Sequence, residues 1–194
     1  MNYLAHLYLS GDDPDLRIGN FIADSVKGRN LSAFPPKVQR GIVLHRFIDE
    51  YTDHSPLLAG MRLEMRMFFP KYYGMILDVY LDHFLAKKWN QYSEISLRAY
   101  VRHFYLSLVL NYFILPQRIR KSLPYLISQN WLESYKEFKG LGLIFDRMNK
   151  FRGLPYNSVP VIDYLKENYE QLNEAFDLFF ADLQIAVKTR IVDL

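Results

Sequence analysis

The fold class follows most directly from residues 36 to 53, which read PKVQRGIVLHRFIDEYTD. Apolar side chains recur here at helical spacing, and His45 and Asp49 fall on or near the same stripe. The segment is bounded by Phe34-Pro35-Pro36 and by Asp53-His54-Ser55-Pro56, whose prolines interrupt helices. We therefore predict one helix that carries two polar side chains among apolar ones.

The same periodicity runs along the rest of the chain. Asp13-Pro14-Asp15 has the form of a helix start, with a capping Asp before a proline in the first turn. No alternating strand pattern, internal repeat, low-complexity tract or linker is found. The sequence predicts an all-α protein, a compact multi-helix single domain over residues 1–194. Further helices are predicted near residues 57–68, 72–89, from Ser93 or Ser96 to Pro116, 117–129, 131–150 and 160–190.

Composition limits the chemistry that the chain can carry out. It contains no cysteine, so any metal must be bound by histidine nitrogen or carboxylate oxygen. The formal net charge of +3 is too small to indicate a nucleic-acid partner, but it suits an anionic substrate or an acidic protein. The most apolar stretch, residues 104–115, has roughly half of the ~20 residues that span a membrane. With no basic leader before its first apolar run, we expect a cytoplasmic protein outside the membrane.

Three successive predicted helices each carry a polar pair at a spacing of four residues. A spacing of four residues places both side chains on one face of a helix, where they can bind one ion. Helical bundles have few other reasons to direct carboxylates inward, so the repetition favours a metal site. The pairs are Asn20 with Asp24, His45 with Asp49, and Asp78 with Asp82.

Two of these pairs, and a nearby histidine, also have a purely structural interpretation. His45 and Asp49 could form a simple ion pair, and Asp82 could cap a helix or pair with a cation. His6 lies in the apolar segment Leu4-Ala5-His6-Leu7, where a lone histidine is more often a hydrogen-bonded core residue than a ligand. Three arginines could face an anionic substrate or solvent: Arg46, Arg62 and Arg66.

Several motifs, in register, resemble the acyl carrier protein phosphodiesterase family. The similarity in order and spacing covers the first ninety residues and continues more weakly to Phe179-Phe180. The matching segments are Met1–Leu7 (MNYLAHL), Gly19–Asp24 (GNFIAD), Phe34–Pro36 (FPP), Gly41–Asp49 (GIVLHRFID), Tyr51–Asp53 (YTD) and Ile76–Ala86 (ILDVYLDHFLA).

The resemblance implies a fold and a reaction. It implies a divergent relative of the HD-type metal-dependent phosphohydrolases, all helical and usually working with manganese. The enzyme of this family is a hydrolase of lipid metabolism and fatty acid biosynthesis. It removes the 4′-phosphopantetheine arm from holo acyl carrier protein and restores the apo form. Mixed imidazole and carboxylate ligands suit Mn²⁺, with Fe²⁺ and Zn²⁺ as alternatives.

The resemblance also implies which residues form the site. Of the metal-site residues that it implies, Asp24, His45, Asp78 and His83 are also the expected catalytic groups. His6 and Asn20 would support them. The full metal set is Asp24, His45, Asp49, Asp78, Asp82 and His83.

The chain departs from the family pattern at two places. Tyr8 stands where the family often has a second histidine, so this position is not expected to be essential. Thr52-Asp53-His54-Ser55-Pro56 replaces the usual Thr-Asp-Ser-His-Pro, which moves the imidazole by one residue and leaves the role of His54 open.

Two other functions are compatible with the sequence. The same chemistry could act on a nucleotide or another small phosphodiester, or the chain could be a non-catalytic helical module that binds the carrier protein. Acyl carrier proteins are strongly acidic, so Arg46, Arg62 and Arg66 are expected to steer their docking. The oligomeric state is left open.

Overall fold

The computed structural model of the protein describes residues 3–194, and all regular structure in that range is helical. The all-α prediction is therefore confirmed. Three short 3₁₀ turns lie at Ala23–Ser25, Pro56–Leu58 and Tyr112–Ile114. The helices are α1 (Tyr3–Leu9), α2 (Pro14–Ile22), α3 (Pro36–His54), α4 (Ala59–Phe68), α5 (Tyr73–Lys87), α6 (Trp89–Tyr92), α7 (Leu97–Leu110), α8 (Gln117–Ser128), α9 (Trp131–Ser134), α10 (Phe138–Arg152), α11 (Ser158–Glu167) and α12 (Tyr169–Val192).

Helix ends in the first half follow the sequence signals. Asp13 caps α2, because its side chain accepts hydrogen bonds from the backbone N–H groups of Asp15 and Leu16. Ser96 caps α7 by accepting from the N–H of Ala99. These polar side chains satisfy N–H groups that have no partner inside their own helix.

Two predicted long helices are each divided in the structure. The segment 131–150 forms α9 and α10, separated where Glu137 adopts an extended backbone conformation. The segment 160–190 lies in α11 and α12, which meet at Asn168. The Asn168 side chain and backbone N–H both donate to the carbonyl of Tyr164, and so end α11. Periodicity alone misses this break because the apolar pattern continues through it.

Helices α2 and α3 pack with their backbones almost in contact. A Cβ atom added at Gly19 would lie 2.0 Å from the carbonyl oxygen of Val38, and one at Gly41 would lie 2.2 Å from that of Leu16. Only glycine permits this approach at the crossing. It brings the residues that follow Gly19 directly beside the middle of α3.

Helix α1 is fixed at its first turn by a side chain from α5. The Asp82 carboxylate accepts hydrogen bonds from the backbone N–H groups of Leu4, at 2.7 Å, and Ala5, at 3.1 Å. A helix of 7 residues has little stability of its own, so this cap and burial against α2 and α5 determine where it lies. The next residue, His6, is thereby directed towards α3.

Aromatic side chains fill much of the interior between the N-terminal helices and α12. The stacked rings of Phe176 and Phe180 have centroids 5.1 Å apart, and Phe84 of α5 packs against Phe176. Helix α12 contacts α3, α5 and α11. None of the helices in residues 3–194 is long and apolar enough to cross a lipid bilayer.

Candidate metal centre

His6, His45 and Asp49 bring three potential metal-ligand atoms within 4.8 Å of one another. Nε2 of His6 lies 3.1 Å from Oδ1 of Asp49, and Nε2 of His45 lies 3.0 Å from its Oδ2. The two imidazole rings are stacked, with centroids 4.1 Å apart. Both histidines therefore direct Nε2 at the same carboxylate, an arrangement in which one cation can replace their protons.

Asp24 joins this cluster from the turn that follows α2. Its Oδ1 lies 3.3 Å from Nε2 of His45, on which two carboxylates thus converge. We refer to His6, Asp24, His45 and Asp49 as the His–Asp cluster. Two imidazole nitrogens and two carboxylates form a donor set that fits Mn²⁺, Fe²⁺ or Zn²⁺.

Asn20 fixes the orientation of His45. The Asn20 Nδ2 donates to the carbonyl of His6 and to Oγ of Ser10, both at 2.9 Å. Its Oδ1 must then face His45 Nδ1, 3.1 Å away, as the acceptor of that N–H. The arrangement leaves Nε2 of His45 directed at the carboxylates. Metal-binding histidines typically donate their second ring N–H to such an acceptor, so the residues present fit a metal.

The His–Asp cluster is buried on one side and open on the other. Asn20 and His6 are buried, and the His45 side chain is 8% exposed. The side chains of Asp49 and Asp24 are 41% and 52% exposed. The histidines are thus held rigidly by the core, while the carboxylates face a space that a substrate can reach.

The pKa values of the two stacked imidazoles are shifted in opposite directions. Burial lowers the pKa of His45, but hydrogen bonds with Asp24 and Asp49 outweigh it and raise that pKa to about 9. Burial and the neighbouring charge of His45 lower the pKa of His6. At neutral pH and without a metal, these shifts favour the cationic form of His45 and the neutral form of His6.

The two carboxylates of the cluster remain ionised. Burial alone would raise the pKa of Asp49, but hydrogen bonds from His45 and His6 bring it well below the ordinary range. The hydrogen bond from His45 also lowers the pKa of Asp24, against the effect of burial. Two anions and one imidazolium give a net negative charge, which favours binding of a divalent cation.

Asp78 and Asp53 extend the acidic surface beyond the cluster. Burial raises the pKa of Asp53, and the negative charges of Asp78 and Asp49 raise it further. Asp53 lies one helical turn after Asp49 on α3. The sequence signal for Asp53 is the same four-residue spacing that identifies the other pairs, although the Asp53–Pro56 segment also has the composition of a turn.

Asp82 and His83 lie apart from the His–Asp cluster. Asp82 accepts hydrogen bonds from backbone N–H groups at the start of α1, and burial raises its pKa to about 7. His83 donates from Nδ1 to the carbonyl of Tyr135, at 2.8 Å, and stacks on Phe138. The group of close metal-ligand atoms found in residues 3–194 includes neither of them, nor Asp78. Asp82 and His83 therefore have structural partners that sequence spacing does not reveal.

The predicted docking arginines differ in their contacts. Arg62 donates to the carbonyls of Thr52 and Ser55 at the end of α3. Arg46 is exposed on α3 and donates to the carbonyl of Gly28. Arg66 is exposed on α4. The Arg62 guanidinium thus completes a helix end, while the other two lie on the surface.

The two positions where the chain departs from the family pattern lie outside the His–Asp cluster. Tyr8 donates to the carbonyl of Tyr92 and accepts from Gln184 on α12. His54 bonds through Nδ1 to the carbonyl of Glu50 in its own helix. Neither side chain contacts the cluster through these bonds.

Comparison with known proteins gives one consistent result. Residues 1–183 match the sequence profile of the acyl carrier protein phosphodiesterase family. The acyl carrier protein phosphodiesterase of Yersinia pestis is 29% identical over 181 residues, which cover 93% of this chain and 94% of the relative. That of Enterobacter sp. (strain 638) is 32% identical over 178 residues, covering 91% and 89%. No solved structure matches the chain.

Proposed function

Because the chain belongs to the acyl carrier protein phosphodiesterase family, we propose that it hydrolyses the phosphodiester between 4′-phosphopantetheine and the carrier serine. The products are the free arm and apo carrier protein. The observation that carries this proposal is the convergence of His6, His45 and Asp49 beside the half-exposed Asp24. Paired imidazoles and carboxylates at an accessible surface suit metal-assisted hydrolysis.

A divalent cation, Mn²⁺ with Fe²⁺ or Zn²⁺ as alternatives, is proposed to bind the His–Asp cluster. His6, His45 and Asp49 would hold it, with Asp24 at the open side. When bound, such an ion supplies Lewis acidity and lowers the pKa of a coordinated water. The buried histidines keep the site rigid, and Asn20 keeps His45 in the tautomer that leaves Nε2 free to bind.

The carboxylates divide the proton transfers between them. Asp24 stays ionised and is half-exposed beside the cluster, so its carboxylate can accept a proton from the attacking water. Asp53 has a raised pKa, to which Asp78 contributes, and suits a donor of a proton to the leaving serine Oγ. Asp49 interacts electrostatically with both carboxyl groups, and opposite pKa shifts within one site typically mark such a pair. Asp78 is therefore proposed to act through Asp53.

The proposed substrate is the acidic carrier protein, and the proposed location of the reaction is the cytoplasm. Arg46 and Arg66 lie exposed on α3 and α4, and their charge would attract an acidic surface. Arg62 stabilises the end of α3 by donating to the carbonyls of Thr52 and Ser55.

A mass measurement on the carrier protein tests this function. Holo acyl carrier protein is incubated with the enzyme, with and without Mn²⁺, and loss of the arm is followed by mass spectrometry. We expect loss of the arm only with metal, and little loss with His45→Gln. His103→Gln is the matched control, because His103 is exposed on α7 and outside the cluster.

Other outcomes of this assay would contradict the proposal. A holo carrier that keeps its arm, while a nucleotide or another small phosphodiester is cleaved, would assign a different substrate. Carrier binding without cleavage and without a bound metal would indicate a non-catalytic module. Full activity of Asp78→Ala would remove Asp78 from the proton-transfer groups.

A further inference from the structure

A cavity of about 640 Å³ opens directly beside the His–Asp cluster. Its walls come from the start of α1, the end of α2 and the turn after it, and helices α8, α9 and α10. Asp24 belongs to both places, because it lines the cavity and its Oδ1 lies 3.3 Å from Nε2 of His45. Cavities of roughly 300 to 1,000 Å³ are typical of small-molecule sites. A ligand in the cavity would therefore have one end at the cluster.

We propose that this cavity binds the phosphopantetheine arm of the carrier protein, with the phosphate at the Asp24 end. The inference rests on the proposed function, which leaves open where the arm lies. Asp24 would then connect the site of bond cleavage with the cavity that holds the released arm. The arm leaves along the cavity, and the carrier protein stays outside.

The walls of the cavity match the chemistry of the arm. Tyr3 packs against Phe21 and Trp131, at centroid distances of 5.2 and 6.4 Å, to form an aromatic surface. Leu126 and Met148 add aliphatic surface. The methyl and methylene groups of pantetheine can pack against these side chains, which suits a largely apolar site with few polar groups.

Polar groups on the same walls suit the two amides of the arm. Ser122 of α8 and Gln129 at its end line the cavity together with Leu126. The Ser122 hydroxyl donates to the carbonyl of Ile119, so its oxygen can accept from an amide N–H of the arm. Oε1 of Gln129 accepts from Arg147, which leaves its NH₂ group to donate to an amide carbonyl. A purely hydrocarbon ligand would offer these groups no hydrogen bonds, and this favours an amide-containing chain.

Two arginines on the cavity walls supply the positive charge that an anionic ligand needs. Arg118 and Arg147 both line the cavity. Arg147 is held in place, because its guanidinium lies 5.6 Å from the centroid of the Trp131 ring and donates to Oε1 of Gln129 at 2.7 Å. Asp24 alone would repel a phosphate, so these cations favour an anion in this cavity over a neutral ligand.

The absence of cysteine allows a test on protein that has already folded. Ser122→Cys places the only thiol of the chain on the cavity wall, and N-benzylmaleimide then blocks the cavity through a stable thioether. Ser128→Cys is the matched control, because Ser128 is exposed on the same helix and does not line the cavity. Unlabelled and labelled samples of each variant are compared, so that a folding defect cannot imitate the effect.

Two measurements are made with 4′-phosphopantetheine and with AMP as a nucleotide probe. Calorimetry gives the affinity for each free ligand, and mass spectrometry gives the rate of arm removal from holo carrier protein. We expect labelling of the Ser122→Cys variant to weaken 4′-phosphopantetheine binding and to raise KM for the carrier by about tenfold or more. Labelling of the Ser128→Cys variant should change neither.

The possible failures are distinguishable. Arm removal by the unmodified enzyme, with equal binding and KM before and after labelling of Ser122→Cys, would overturn the cavity assignment and leave the proposed function intact. Binding of AMP in place of 4′-phosphopantetheine, lost on labelling, would assign the cavity to nucleotides. Absence of arm removal by the wild-type chain would overturn the proposed function itself.

Discussion

His45 is the residue on which the candidate site depends, because both of its ring nitrogens have fixed partners. Nδ1 faces Asn20, and Nε2 faces Asp24 and Asp49. Asn20 in turn is oriented by the carbonyl of His6 and by Ser10. A change at Asn20 should therefore act through His45 without removing a candidate ligand.

We expect Asn20→Ala to weaken Mn²⁺ binding by about 10- to 100-fold, as loss of a metal ligand's hydrogen-bond partner commonly does. The measurement is calorimetric titration of metal-free protein. Asn30→Ala is the control, since the Asn30 side chain accepts hydrogen bonds from Ser32 in an exposed turn. Unchanged Mn²⁺ affinity in Asn20→Ala would show that the amide does not orient His45.

The proton on His45 should make the stability of metal-free protein depend on pH. Its pKa is about 9 in the folded state, against an ordinary value of 6.5, because Asp24 and Asp49 hold the imidazolium. A group whose pKa is higher in the folded state than in the unfolded state stabilises the fold. This contribution is complete at pH values below the unfolded-state pKa, and it disappears as the pH rises through the folded-state pKa. The free energy of unfolding of the wild type should thus exceed that of His45→Gln by on the order of 3 kcal/mol below pH 6.5. This difference should be lost towards about pH 9.

Urea unfolding in chelator across this pH range provides the measurement. His103→Gln serves as the control, because His103 is exposed on α7 and lies outside the His–Asp cluster. A constant difference between wild type and His45→Gln from about pH 6 to 10 would contradict the ion-pair assignment.

Sequence spacing predicts contacts within one helix better than contacts between helices. His45 and Asp49 could be paired from their four-residue spacing alone, and the structure places them 3.0 Å apart. His6 contacts Asp49, 43 residues away, and such a contact depends on how α1 is placed. Spacing therefore identifies Asp24, His45 and Asp49 as candidates, while the position of His6 requires the tertiary structure.

At the scale of the elements, the crossing of α2 and α3 sets the distance between Asn20 and His45. We expect Gly19→Ala to lower the free energy of unfolding by roughly 1 to 3 kcal/mol, because its Cβ would meet the Val38 carbonyl and force the helices apart. Activity should fall as well, since Asn20 and Asp24 follow Gly19 closely. Thermal unfolding and the carrier assay measure the two effects.

Gly60→Ala provides the matched control for this change. Gly60 is also helical, but a Cβ added there meets nothing within 4 Å. Alanine should therefore stabilise that helix by about 0.5 to 1 kcal/mol. If both substitutions had the same effect, close packing at Gly19 could not be the reason.

The contact between α5 and α1 gives Asp82 a structural role, while the family resemblance implies a metal-site role. Asp82→Ala would leave two buried N–H groups without an acceptor, at a cost of about 1 to 3 kcal/mol for each. Asp82→Asn keeps one side-chain acceptor and should be less destabilising. We expect Asp82→Asn to retain Mn²⁺ binding, because α1 and His6 stay in place.

Calorimetric titration with Mn²⁺ separates the two roles of Asp82. Asp49→Asn is the comparison, since its carboxylate contacts both histidines of the cluster and should be needed for the metal. Loss of Mn²⁺ binding in a stably folded Asp82→Asn variant would favour Asp82 as a ligand. Unfolding measured in the same samples identifies variants that lose metal because they lose their fold.

Across the whole molecule, helix content is easier to predict than the way the helices are joined. A cap such as Asp13 depends on hydrogen bonds to residues close in sequence, so it can be predicted from the sequence alone. The break at Asn168 and the role of Asp82 depend on tertiary contacts, which local periodicity does not contain. The cavity beside Asp24 is a further case, since its walls come from both halves of the chain.

The site also couples metal binding to the stability of the whole fold, because its residues come from α1, from the turn after α2, and from α3. Metal at about 100 times its dissociation constant adds about 2.7 kcal/mol to the folded state. In a domain of this size, that corresponds to a rise of roughly 5 to 10 °C in Tm. We expect Mn²⁺ to produce such a rise in the wild type and in His103→Gln, and His45→Gln to show little change.

Calcium should raise Tm less than manganese, because two imidazoles are poor ligands for a cation that prefers oxygen. Thermal unfolding of chelator-treated protein, with each metal added back, provides the comparison. Equal rises with both metals, or a full rise in His45→Gln, would move the binding site to exposed carboxylates elsewhere. A rise specific to manganese and dependent on His45 would instead mean that the metal holds α1 and α3 together, since His6 and Asp49 bind from opposite sides of that junction.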